Sequence, residues 1–129
     1  MSNVVYTLQN NQKLNASQFR RYIYKKIANA SKKFGKKFDL GKANNIYCLD
    51  DAAIDVIYSL MAGKKSKTKK SPFLYCLKKE LELYAKLRKL KFEFISYSGL
   101  KLKIKEMLDS LEEKHKEIKY SVYQASLQV

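Results

Sequence analysis

Between Ser17 and Gly35 the apolar residues fall at Phe19, Ile23, Ile27, Ala30 and Phe34, steps of three and four that gather them on one face of a helix. The positions between them carry Arg20, Arg21, Lys25, Lys26, Lys32 and Lys33, so the outer face is strongly basic, and Gly35 is the expected stop. A helix with one apolar stripe must bury it against partners, and the rest of the chain supplies them. Ala53, Val56, Ile57, Leu60 and Met61 form a second stripe ending at Gly63. Leu77, Leu81, Tyr84 and Leu87 form a third, through about Leu90, and Leu100, Ile104, Met107, Leu108, Leu111, His115 and Ile118 a fourth. The last residues, through Val122, Leu127 and Val129, either extend the fourth helix or pack back on it.

Three short apolar runs read as strands: Val4, Val5, Tyr6 and Leu8; Ile46 to Leu49, as a buried strand feeding a helix; and Phe92 to Tyr97, with Ser98-Gly99 as the turn after it. Asp50 or Asp51 is the expected N-cap of the second helix, with its negative charge at the positive end of the helix. A chain of 129 residues, 46% hydrophobic, can collapse around one core and little more. The expected fold is mainly α with one or two short strands, an α/β remnant, and four to five helices in one compact domain covering residues 1–129.

The positive charge is concentrated. Residues 1–49 hold ten Lys/Arg and one acid, Asp39, whereas residues 50–63 hold Asp50, Asp51 and Asp55 and no base. Residues 64–70, KKSKTKK, add five lysines in what reads as an exposed loop closed by Ser71-Pro72. Residues 71–129 are nearly balanced. With a formal net charge of +15, this density suits a polyanion, because each phosphate neutralised releases condensed counterions. An anionic membrane surface, an acidic protein partner or a merely solvated lysine-rich surface are the other readings. The expected phosphate contacts are Arg20, Arg21, Lys25, Lys26, Lys32 and Lys33 on the first helix, and Lys64, Lys65, Lys67, Lys69 and Lys70 in the loop. Tyrosines are interleaved with the bases at Tyr22, Tyr24 and Tyr97, but tyrosine on a helix is more often core or boundary than a stacking platform.

Other classes are disfavoured. Cys48 and Cys76 form no CxxC pair and read as small buried hydrophobes in a reducing compartment. His115 is the sole histidine and reads as a surface or boundary residue. No metal ligand set, cofactor site or catalytic constellation stands out beyond Asp50-Asp51. The apolar runs fall far short of the roughly 18 residues that span a bilayer, and no stretch at the start reads as a signal peptide. The expectation is a cytoplasmic protein without membrane partners.

The middle of the chain resembles a known family. The stretch NIYCLDDAAIDVIYSLMAGK, Asn45 to Lys64, is similar to the "TGHNxDDxAExxLMNxLRGD" segment of the PP-loop ATP-pyrophosphatases that modify tRNA, keeping Asp50-Asp51, Ala53, Val56, Leu60 and Gly63 in register. Upstream, QFRRYIYKKIANASKKFG, Gln18 to Gly35, resembles the "fRRxAlxxgAxxLG" helix, and downstream SPFLYCLKKELELYAKLRKL, Ser71 to Leu90, resembles "rPlxyxxEkEixlYAxxxkL", with Glu80 and Tyr84-Ala85 in place. The likeness covers roughly residues 17–112 and is nearest to the cytosolic tRNA 2-thiolation proteins.

The departures decide what it implies. The family's ATP site is a glycine-rich SGGxDS loop whose backbone amides cradle pyrophosphate; this chain has four glycines and no such loop. Its "GHN" positions hold Ile46, Tyr47 and Cys48, and its "AE" glutamate position holds Ile54. The cluster cysteines would fall at Lys13, Ala16 and near Ile95, so no thiolate ligand remains. The resemblance therefore implies a degenerate C-terminal half, not an enzyme alone. It would be a non-catalytic tRNA- or RNA-binding subunit or split half, acting with a partner that supplies the ATP site. The alternative is a small basic structural or interaction protein binding nucleic acid or an acidic partner through lysine-rich helices.

Overall fold

The computed structural model describes residues 5–8, 11–35, 37–38, 40–65 and 68–127. Helix α1 spans Ala16–Phe34. A reciprocal cap starts it: the Gln18 N–H donates to Asn15 Oδ1 at 2.8 Å, and the Asn15 N–H donates to Gln18 Oε1 at 3.0 Å. Gly35 ends it in the left-handed region at φ 64°, where its N–H reaches the Ser31 carbonyl. Phe19, Ile23, Ile27 and Ala30 are buried as the stripe requires, and each large side chain so buried stabilises the fold by about 1.5–3 kcal/mol. A two-stranded antiparallel ladder, β1 (Tyr6–Thr7) with β2 (Lys13–Leu14), lies over the start of this helix. There the Tyr6 ring stacks on Phe19 with centroids 4.7 Å apart. Val4 and Val129, named above as candidate apolar positions, lie outside the described residues.

Four further helices complete the mainly α architecture: α2 (Leu49–Met61), α3 (Lys78–Arg88), α4 (Gly99–Glu112) and α5 (Ile118–Ser126). Helix α3 packs on α1, whereas α4 and α5 pack on α2 and on each other. The first half of α2 is buried nearly all round, with Ala52 and Ala53 letting its neighbours approach closely. Phe19, Ile23, Ile27, Leu81 and Tyr84 anchor one apolar cluster between α1 and α3. Ala53, Ile54, Ile104 and Leu108 anchor another between α2 and α4. A third joins Tyr47, Leu49, Leu74, Leu77 and Tyr123.

The structure corrects several sequence expectations. The Ile46–Leu49 and Phe92–Tyr97 strands reduce to one parallel bridge, Ile46 with Phe94, flanked by the bonds Ile46 N–H to Glu93 O and Glu93 N–H to Ala43 O. Leu49 is already helical three residues after the bridge, which leaves no length for a ladder. The expected fourth helix is two, broken by a turn over residues 113–117 that holds the exposed His115. Its stripe is only half buried: Ile104 and Leu108 lie inside, while Leu100, Met107 and Leu111 stay exposed, as do Leu60 and Met61 at the end of α2. The N-cap of α2 is Cys48, with Asp50 and Asp51 one and two residues inside the helix. No helix among the described residues is long and apolar enough to cross a membrane.

Candidate nucleic-acid interface

The acidic element at residues 50–55 is committed to holding the fold together. Asp50 accepts the Lys78 N–H at 2.8 Å, tying α2 to the start of α3, and the Lys119 ammonium at 2.6 Å, tying it to α5. Asp51 accepts the Cys48 N–H at 2.7 Å and the Tyr97 hydroxyl, which fixes the segment leading into α4. Asp55 accepts the Tyr47 hydroxyl at 2.6 Å and Lys101 Nζ at 3.3 Å. Lys119, 4% exposed, also reaches Asp109 at 2.7 Å and Glu112 at 3.5 Å. The break between α4 and α5 is what allows this lysine to turn back onto Asp50.

These bonds set an alkaline limit. Burial alone would lower the Lys119 pKa, yet the carboxylates of Asp50, Asp109 and Glu112 hold it above the usual lysine range. The Tyr97 phenol is pushed up by burial and then by its bond to Asp51, and the Tyr47 phenol by burial and then by Asp55. In all three groups the folded chain keeps a proton that the unfolded chain releases near its ordinary value of 10.0 or 10.5. Their contribution is therefore complete below about pH 10 and lost as pH rises through the folded values. Each retained proton adds about 1.4 kcal/mol per pH unit to the slope. Thermal melts between pH 8 and pH 11 are expected to hold level and then fall steeply, and Tyr97→Phe is expected to soften that fall.

With Asp50, Asp51 and Asp55 turned inward, the cations of α1 and the lysine loop dominate that part of the outside. Arg20, Arg21, Lys25, Lys32 and Lys33 are exposed on α1. Arg21, Lys25 and Lys32, at spacings of four and eleven, form a row along the face opposite the buried stripe, about 16 Å long at the helical rise. Lys26 differs: it is half-buried and ion-paired with Glu80 at 3.2 Å, its ammonium 4.4 Å from the centre of the Tyr22 ring. In the lysine loop, Lys64, Lys65, Lys69 and Lys70 are exposed, and Lys67 lies outside the described residues. The far end of the loop lies against Tyr47: Lys69 Nζ sits 5.8 Å from that ring's centre. Phe34 packs against the cluster that contains Tyr47. Lys33 at the end of α1, 5.8 Å from the Phe34 ring centre, and Lys69 of the loop thus border one apolar cluster, although 36 residues separate them in sequence.

Sequence reasoning missed one feature. Between α1, the turn at Tyr75 and α5 runs a groove of about 490 Å³, with Tyr22, Tyr75, Tyr120 and Tyr123 in its walls beside Lys26 and Lys33. The only advance signal was the abundance of tyrosine, since the four rings come from three distant segments.

No protein-family model matches the chain, and no curated protein sequence does. Among solved structures, the fold is similar to that of the U34-tRNA thiolase NcsA from Methanococcus maripaludis, solved with its [4Fe-4S] cluster, at a TM-score of 0.52 and 22% identity. The likeness covers 89% of this chain and 44% of the thiolase, so the chain spans less than half of that protein's length. It shows that the fold is one found within a tRNA thiolase. The residues here do not fit such a cluster. Both cysteines are buried, and burial pushes both thiols well above their usual range, away from the thiolate a cluster requires. Lys13 stands in β2, Ala16 opens α1, and Ile95 packs against an apolar cluster. Ile54 is buried between α2 and α4.

Proposed function

We propose that this chain is a non-catalytic, RNA-binding component of a tRNA-modifying assembly, related to the tRNA 2-thiolation proteins. It holds tRNA on the cationic surface of α1 and the lysine loop, while a partner supplies a glycine-rich ATP loop. The observation that carries this reading is the fold likeness to a tRNA thiolase, combined with a surface whose positive charge is not offset by its own Asp50, Asp51 and Asp55. Those aspartates have internal partners, which favours a supporting role over a catalytic one. The cytoplasm, where tRNA is modified, is the compartment that fits.

Mild affinity purification of the tagged chain from its own cells, with and without nuclease, tests the proposal. The expected eluate holds tRNA that nuclease removes and a stoichiometric protein carrying an SGGxDS-type loop that nuclease leaves in place. An eluate with neither would contradict the proposal.

A further inference from the structure

We propose that the tyrosine-lined groove between α1, the Tyr75 turn and α5 takes one unstacked nucleobase of a bound RNA strand, an inference that rests on the RNA-binding reading above. The groove's volume of about 490 Å³ falls within the roughly 300–1,000 Å³ of clefts that hold small ligands. Four tyrosine rings line it together with Leu49 and Leu77, so the walls are aromatic and apolar, as a flat base requires. Lys33 and Lys116, the latter also donating to Asn11, provide cations around these walls; of the two carboxylates there, Glu80 is neutralised by Lys26 and accepts the Leu77 N–H, and Glu117 is the other. Lys33 Nζ lies 5.8 Å from the ring centres of both Tyr75 and Phe34, which places positive charge over the aromatic surface.

The geometry of α1 links this groove to the phosphate-binding row. Tyr22, Lys26 and Lys33 repeat the four-and-eleven spacing of Arg21, Lys25 and Lys32, displaced by one residue, so the two rows run side by side about 100° apart around the helix. A strand whose phosphates follow the outer row can turn one base into the groove beside it. This arrangement selects single-stranded RNA, such as a loop, because a paired base is not free to leave its stack.

The test uses the full chain with three probes: a twelve-residue oligouridylate, the same backbone without bases, and free uridine monophosphate. Tyr120 is 49% exposed, so Tyr120→Ala is compatible with folding; Tyr120→Phe keeps the ring, and Lys33→Gln provides a second variant. Tyr120→Ala is expected to weaken oligouridylate binding by about 5- to 100-fold while leaving the abasic strand unchanged, with Tyr120→Phe near the parent. Lys33→Gln is expected to weaken both strands. Equal binding of both strands by the parent, or equal loss on both with Tyr120→Ala, would overturn the groove while leaving RNA binding by the basic surface intact. Binding of the free nucleotide without either strand would overturn the RNA source and the RNA-binding reading with it.

Discussion

Lys119→Met is expected to destabilise the chain by about 3–5 kcal/mol, the range for removing one member of a buried ion pair. Methionine matches the lysine stem but leaves Asp50, which is buried, without its cation, and leaves Glu112 with Lys79 alone at 3.3 Å. Glu112 Oε2 is already buried without a hydrogen-bond partner among the described residues, so that carboxylate has little reserve. The loss acts on four helices at once, because Asp109 and Glu112 lie in α4 and Asp50 also fixes the start of α3 through the Lys78 N–H. Asp50→Asn is expected to cost less, since Asp109 remains on Lys119 and the amide oxygen still accepts from Lys78. Urea denaturation measures both, and a Lys119→Met midpoint equal to the parent's would show that the cluster does not hold α5 to α2.

Replacing Lys64, Lys65, Lys67, Lys69 and Lys70 together by glutamine is expected to weaken RNA binding by about a hundredfold or more at low salt. It should also flatten the plot of log affinity against log salt by about 3.5–4.5, the sum expected if each lysine neutralises one phosphate. Arg21→Gln, Lys25→Gln and Lys32→Gln together are expected to flatten it by about 2–3. The substituted loop residues described here, and the three on α1, are exposed, and exposed substitutions of this kind change stability by about 0.5 kcal/mol or less. An unchanged slope with the loop variant would remove the loop from the interface.

The sequence disclosed most of what depends on local chemistry. The stripe from Phe19 to Phe34 and the stop at Gly35 placed α1 almost to the residue, because amphipathic period and cap are both written in adjacent side chains. What depends on tertiary contact was not legible. Glu113 to Glu117 contain neither glycine nor proline, so nothing local announced the break before α5; it answers to Lys119 reaching a carboxylate 69 residues away. Asp50 and Asp51 looked like caps because acids suit a helix start, yet the cap fell to Cys48, whose extended backbone the sequence does not display. The basic candidates were visible as charge. That the end of α1 and the end of the loop border one cluster came only with the packing of Phe34 and Tyr47, and the groove only with the approach of α5.

The most direct test of the account is titration of the unsubstituted chain with tRNA at a series of salt concentrations. Contacts from α1 and the loop predict tight binding at 50 mM salt and a log–log slope steeper than about −3.5, the value for five single-strand phosphates. Absence of binding at low salt, or a slope near zero, would contradict it.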